Sequence, residues 1–432
     1  MQRKVIQVEE KVPLLQGLPL SLQHLFAMFG ASVLVPFLFN QWAGKQVIDP
    51  SLVLLMNGIG TLIYLFLCKG KAPAFLGSSF AFLAPASAII TSSSDVEANF
   101  SKALGGFILS GFVFVLVALL IGAVGTKWLD IVLPPAAMGP IVALIGLELS
   151  STATDMAFKN AERTAFDKNA IIVSLFTLAV VILGTLLFKG FLSAIPILVG
   201  VFAGYGLSMI MGMVDYTKIT SKSVLSLPHF VLPNFDINAM LVIVPAALVV
   251  ISEHIGHLYV TSNIVGRDLA KDPGLHRSLL GDGISTMLSG FSGSVPTTTY
   301  GENMGVMAIT RVYSVWIIGG AAVISIIMSF FGKLSGIISS IPDPVMGGVS
   351  ILLFGVIAAS GVRMIVEAKV DYSKSKNLIL TAVIFVIGIS NVPVKLGQNV
   401  ELKGMALATV VGMALSFLFY IFEVLKITND EQ

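Results

Sequence analysis

The sequence predicts an all-α polytopic membrane protein with 14 transmembrane segments in a seven-plus-seven inverted repeat. Three observations carry that expectation. The chain of 432 residues is 56% apolar and only 12% charged, about half the charge of a typical soluble domain. Its mean hydropathy is +0.93, and at about 20 residues plus a connection per span, roughly 14 spans fit. The two halves also share motifs in one order, as internal repeats do.

Taken in order, residues 1–18 are polar and charged, with Arg3, Lys4, Glu9, Glu10 and Lys11. They read as a cytoplasmic tail, and no cleavable signal peptide is expected. Spans are expected near 19–38, 51–68, 74–90, 103–124, 129–149, 170–188, 192–213, 239–262, 277–291, 297–310, 313–332, 343–361, 377–392 and 403–426. With these spans, 16 of the 26 Lys and Arg residues fall on the N-terminal side. The excess puts both termini in the cytoplasm and the chain in the cell membrane as a multi-pass protein. The charged runs at 155–168 and 363–376 read as solvated loops and orientation signals. The 41 glycines suit close helix packing and helix breaks. One cysteine, Cys68, excludes an internal disulfide and a thiolate cluster.

The repeat is read from three motifs. Pro134-Pro135-Ala136-Ala137-Met138-Gly139 matches Pro342-Asp343-Pro344-Val345-Met346-Gly347, and the same offset places Gly111 on Gly319 and Leu144 on Leu352. Gly77-Ser78-Ser79-Phe80 then corresponds to Gly301-Glu302-Asn303-Met304, and Gln23-His24 to Glu253-His254. Seven is odd, so the copies would have opposite membrane orientation. Inverted repeats with paired broken helices point to a secondary transporter with its site near the midplane.

The second of these breaks is the most informative stretch. Thr297-Thr298-Thr299-Tyr300-Gly301-Glu302 opens with β-branched residues and a glycine and carries a carboxylate at its centre. It reads as a short extended segment, a break at Gly301 and a half-helix beginning near Glu302. Such a break leaves unpaired N–H groups at a positive helix N-terminus, tolerated at membrane depth only where protein buries it or it lines a cavity.

The candidate binding residues follow. Glu302 and Glu253 are carboxylates at bilayer depth, which costs about 2.5–3.5 kcal/mol each on the lenient insertion scale and marks function. His257 is four residues beyond Glu253 and shares its helix face; His254 is rotated away. A metal reading fails on spacing, because this is not a helical zinc-protease motif. If the first break mirrors the second, backbone N–H groups at Phe80 and Gly301 face one another, with Ser78 and Ser79 as candidate polar lining. Two acceptors and two donors suit a small planar molecule with alternating N–H and C=O groups, as on the imide edge of uracil. Ala31, Tyr300 and Phe354, with Phe80, are candidates to pack the ring. His24 and Asn303 read as structural support, His24 holding the first broken segment and Asn303 tying the second to a neighbour. No phosphate loop, nucleophile elbow or ATPase motif is present, so neither a pump nor an enzyme is expected. Neither a cofactor nor nucleic acid is called for.

Glu302-Asn303-x-Gly305, followed by Thr310-Arg311, resembles the signature of the nucleobase–ascorbate transporter (nucleobase:cation symporter-2) family. Thr299 to Gly301, Pro73 to Phe82, Gln23-His24 and Ser252 to His257 resemble it too. The likeness spans nearly the whole chain and is nearest to the family's bacterial uracil carriers. It implies a core domain of segments 1–4 (19–124) and 8–11 (239–332). It implies a gate domain of segments 5–7 (125–238) and 12–14, the last running with the C-terminal tail over 333–432. It implies short antiparallel strands in segments 3 and 10, uracil between Glu253 and Glu302 against the backbone of Phe80 and Gly301, proton coupling through His257 with Glu253, and a homodimer in membrane lipid. Position 354 is Phe where some relatives carry Tyr, so no hydroxyl contact is expected there. Glu at position 302 favours uracil over xanthine and other nucleobases, since purine and ascorbate carriers often have Gln. An anion exchanger of the same architecture is disfavoured by Glu302, and a sensor without transport is left to a flux assay.

Overall fold

The computed structural model describes residues 5–160, 162–390, 392–395 and 401–427 and is mostly helical. Arg3 and Lys4 of the expected tail, and the tail beyond residue 427, lie outside the described residues. The principal helices are α1 (Leu14–Ala43), α2 (Pro50–Leu67), α3 (Leu83–Ile90), α4 (Val96–Val124), α5 (Pro135–Glu148), α6 (Lys168–Leu187) and α7 (Pro196–Ile210). They continue with α8 (Ala246–Val265), α9 (Leu275–Ser292), α10 (Gly301–Thr310), α11 (Val315–Met328), α12 (Asp343–Glu367), α13 (Ser375–Ser390) and α14 (Gly404–Val424). Short pieces such as Ser150–Phe158 after α5 and Ile237–Ile243 before α8 join them. Among the described residues, eight helical stretches are long and apolar enough to cross a membrane.

Helix starts follow local chemistry. Asp49 accepts from Ser51 N at 2.9 Å ahead of α2, with Pro50 at the first helical position, and Asp95 accepts from Ala98 N at 3.1 Å ahead of α4. Each satisfies a donor that the first helical turn leaves unpaired.

Small residues decide which helices pack. A Cβ on Gly111 of α4 would stand 2.7 Å from Gly283 O of α9, and one on Gly361 of α12 would overlap Gly139 O of α5. Backbones therefore touch at both crossings, which is the close approach that glycine permits between membrane helices. Around the first crossing, α9 packs on α2 and α4, and α11 packs on α1 and α2. Around the second, α12 packs on α5, α6 and Ser150–Phe158, while α13 packs on α5 and α14. Large apolar side chains face outward, among them Leu119 on α4, Leu186 on α6 and Phe417 on α14. A band of that kind is suited to lipid rather than water.

The ends are tied differently. Residues 6–8 of the N-terminal tail run beside 311–315: Ile6 bridges Val312 in parallel, and Val315 N donates to Val8 O at 2.9 Å. Arg267, just after α8, pairs with Glu9 at 2.6 Å. Near the N-terminal end of α12, the Gln41 amide from α1 donates to Asp343 and accepts from Arg163. The run at 155–168 is thus not simply a solvated loop. Asp155 to Phe158 are helical, and Arg163 joins this cluster because the chain folds back across the end of α1.

Candidate functional site

Two three-residue strands, β1 (Leu76–Ser78) and β2 (Thr297–Thr299), pair antiparallel with Gly77 opposite Thr298. Ser79 N donates to Pro296 O and Tyr300 N to Phe75 O, which extends the ladder by one bond at each end. All six strand residues are buried, and the pairing supplies the backbone partners that buried extended chain requires. Each strand then turns into a helix: a tight turn over Phe80–Phe82 leads into α3, and α10 begins at Gly301. Helix geometry leaves the first N–H groups of each without an intrahelical partner.

The two breaks interlock through Tyr300. Its hydroxyl donates to Ser78 O at 3.0 Å, and its ring lies over Gly77, where a Cβ would overlap the ring carbons. Gly77 is therefore required by the close approach of a ring from the other half of the chain.

Helix α8 passes alongside β2. Thr298 Oγ1 donates to Glu253 Oε2 at 3.1 Å. One turn on, His257 Nδ1 lies 2.8 Å from Thr299 O and 3.0 Å from Thr299 Oγ1. A carbonyl only accepts, so Nδ1 carries the hydrogen, and Nε2 is left as an acceptor. Nε2 points toward Gly301, 3.7 Å from where a Cβ would sit. Glu253 and His257 thus share a helix face, but each is held by its own threonine.

These groups line a cavity of about 330 Å³ that runs toward the C-terminal ends of α8, α10 and α12. Its inner wall comprises Phe80, Glu253, His257, Tyr300, Gly301 and Glu302. Chemically it offers two carboxylates and an imidazole nitrogen as acceptors, with helix N-terminal N–H groups as donors.

Other residues expected at the site lie elsewhere. Ala31 is wholly buried within α1, and Phe354 is 2% exposed and packs edge-on against the Phe80 ring, with centroids 5.8 Å apart. Neither lines the cavity; Phe354 backs the ring that does. Ser78 turns away and donates to Ser32 O at 3.1 Å. The hydrogen bonds of His24 among the described residues reach the second break. Asn303 Nδ2 lies 3.1 Å from His24 Nδ1 and 3.3 Å from His24 O, so the two join α1 to the second half-helix.

Three features are not foreseen from the sequence. Thr298 and Thr299 orient the acceptors on α8. Asp282 of α9, fully buried, lies 3.0 Å from His254 Nδ1 and accepts from Thr297 Oγ1 at 3.1 Å, forming a polar support behind β2. An aspartate in an otherwise apolar segment was a legible signal. Arg363, expected in a solvated loop, lies on α12 at the cavity mouth, where its Nε donates to Glu367 at 2.6 Å. The helix simply runs a turn and a half further than the apolar stretch suggests.

The family model described as "Permease family" matches residues 15–397. The chain is 57% identical to a uracil permease of Paenibacillus larvae, with all of both chains aligned. It is 57% identical to a uracil permease of Escherichia coli K12, covering 99% of this chain and 96% of the relative. A third, from Bacillus caldolyticus, is 45% identical over 97% of this chain and 95% of its own. Among solved structures, the transmembrane domain of the cyanobacterial bicarbonate transporter BicA superposes with a TM-score of 0.60 at 15% identity, covering 95% of this chain and all of that one. The murine anion transporter Slc26a9 in its inward-facing state superposes with a TM-score of 0.70 at 13% identity, covering 96% of this chain and 69% of that one. At such identities the likeness is one of fold.

Proposed function

The chain belongs to the Permease family of membrane transporters, and from that premise we propose that it carries uracil into the cell together with protons. The observation that carries the reading is the cavity itself: Glu253, His257 and Glu302 converge on it beside the N-terminal ends of two broken helices. Identity of 57% to uracil permeases over the full chain supports the substrate. Glu253 and Glu302 accept from ring N–H groups, the N–H groups of Phe80 and Gly301 donate to ring carbonyls, and the Phe80 and Tyr300 rings supply apolar surface. His257 Nε2 takes the coupled proton and becomes a donor facing the site.

Electrostatics favour a neutral base over the anions named for the structural neighbours. An anion held 4 Å from one carboxylate would be repelled by about 4 kcal/mol at an effective dielectric constant of 20.

In this reading the 14 helices form seven-plus-seven inverted repeats. A core domain (19–124 and 239–332) carries the site and moves against a gate domain (125–238 and 333–432). Both termini are cytoplasmic, so the cavity mouth at Arg363 faces the cytoplasm and the Gln41 cluster closes the outside. Two copies assemble as a homodimer. The direct test is uptake of labelled uracil into proteoliposomes with and without an imposed inward proton gradient. Accumulation above equilibrium is expected only with the gradient; equal uptake without it refutes proton coupling. Glu302→Ala should abolish uracil binding, and His257→Leu should impair gradient-driven uptake more than binding.

A further inference from the structure

A second cavity, of about 240 Å³, lies on the far side of Phe80 from the central one. Its walls include Ala81 and Ala84 of the first broken helix, Glu148 at the end of α5, Ala246 of α8, and Lys403 and Met405 at the start of α14. Ala81 adjoins Phe80 in the chain, and Ala246 lies two helical turns before Glu253 on the same face of α8. The two cavities are therefore neighbours along α3 and α8, and the Phe80 ring, which lines the central one, meets Phe354 edge-on at 5.8 Å and 77°.

Their linings are also related by the repeat. With Gly77 set on Gly301, Ala81 and Ala84 take the places of Gly305 and Ala308, which line the central cavity's mouth. With the proline motifs aligned, Glu148 takes the place of Val356. The small residues recur, so both spaces keep room beside a broken helix. The difference is that the second space carries a carboxylate where the first has valine.

That carboxylate is held in place. Glu148 Oε2 accepts from Met405 N at 3.2 Å, and Lys403 stands on the same wall with a second carboxylate, Glu401, beside it. Carboxylate acceptors, a cationic donor and an apolar slot with four alanines from the first broken helix and α8 match a ring edge with adjacent N–H and C=O groups. We propose that this cavity is an outer waiting site for a pyrimidine base, entered before the base passes Phe80 and Phe354 to reach Glu253 and Glu302. Glu148 accepts from a ring N–H, and Lys403 donates to a ring carbonyl. The proposal rests on the uracil-uptake reading above and on its orientation.

The test compares uptake kinetics in proteoliposomes, with uracil added outside, against equilibrium uracil binding to the full-length purified protein. Glu148→Gln keeps an acceptor for Met405 N and removes the charge. Lys403→Met removes the donor. Ala84→Leu fills the slot from the α3 side. Each should raise KM for uptake by about five- to tenfold, with kcat and equilibrium binding staying close to wild type. Unchanged KM in all three, with wild type transporting, overturns the outer site alone. Equilibrium binding that weakens in step with KM also overturns it, because the substitutions would then act through the central site or the fold. A wild-type protein that takes up no uracil overturns the proposed function, and this site with it.

Discussion

The Thr298 hydroxyl is the most exacting test of how the site is held. It donates to Glu253 Oε2 at 3.1 Å from a strand register fixed by Gly77 opposite it. Thr298→Val keeps the β-branched shape and the strand but leaves Glu253 without that donor. A hydrogen bond to a neutral group contributes about 1 kcal/mol, and one to a charged group about 1.5–3 kcal/mol. The valine methyl takes the place of the hydroxyl oxygen 3.1 Å from Glu253 Oε2, so it sets a tight apolar contact against the carboxylate where the hydrogen bond was. Taking about 1–2 kcal/mol as the loss in positioning, uracil affinity should fall roughly 5- to 30-fold. Thr298→Ser retains the donor and should bind within about threefold of wild type. His257 is held by Thr299, not Thr298, so proton-driven uptake at saturating uracil should persist. Equilibrium binding of labelled uracil to the purified variants measures this directly. Thr298→Val with wild-type affinity would refute the reasoning, because Glu253 would then need no fixed orientation.

Three further outcomes follow from the geometry. Gly77→Ala drives a methyl into the Tyr300 ring and should destabilise the protein by about 1–3 kcal/mol, read as a lower midpoint in thermal unfolding, with uracil binding weakened as Tyr300 shifts from Ser78 O. With the orientation proposed above, Gln41→Leu removes the amide between Asp343 and Arg163 and should make cysteines placed beside it more reactive to membrane-impermeant reagents added outside; unchanged labelling would mean this contact does not hold that face shut. The hydrogen bond from Arg267 holds the Glu9 carboxyl below its ordinary value, so this tail contact stabilises above the usual carboxylate range and is lost as pH falls through that lowered value. A small thermal-stability difference between wild type and Glu9→Gln at neutral pH should accordingly vanish at strongly acidic pH.

Much of the site could be read from the chain because the bilayer makes certain residues conspicuous. Two glutamates among apolar residues, and a glycine break preceded by three threonines, are expensive in hydrocarbon unless they line a polar cavity. The repeat led to Phe80 and Gly301 as a pair of sites, and both line the same cavity. The same logic reached Asn303 as a tie to a neighbour but could not say which one: His24 is 279 residues away in sequence, and only the packing of α1 against α10 brings it to the second break. Arg363 was misplaced because hydropathy marks where the apolar stretch ends, whereas the helix persists to Glu367.

By itself the sequence determined the class of protein, the two breaks and the acidic character of the cavity, since each is a local departure from what lipid tolerates. The tertiary structure alone decided which donors orient those acidic groups, that Glu253 and His257 are each held by a different threonine, that Asp282 and His254 brace β2 from behind, and that Phe354 backs Phe80 instead of lining the cavity. The physical reason is distance along the chain. Hydrophobic period and charge cost are properties of a few neighbouring residues. Strand register and helix rotation are set by packing between distant segments, such as the 222 residues that separate Tyr300 from the Ser78 carbonyl it holds.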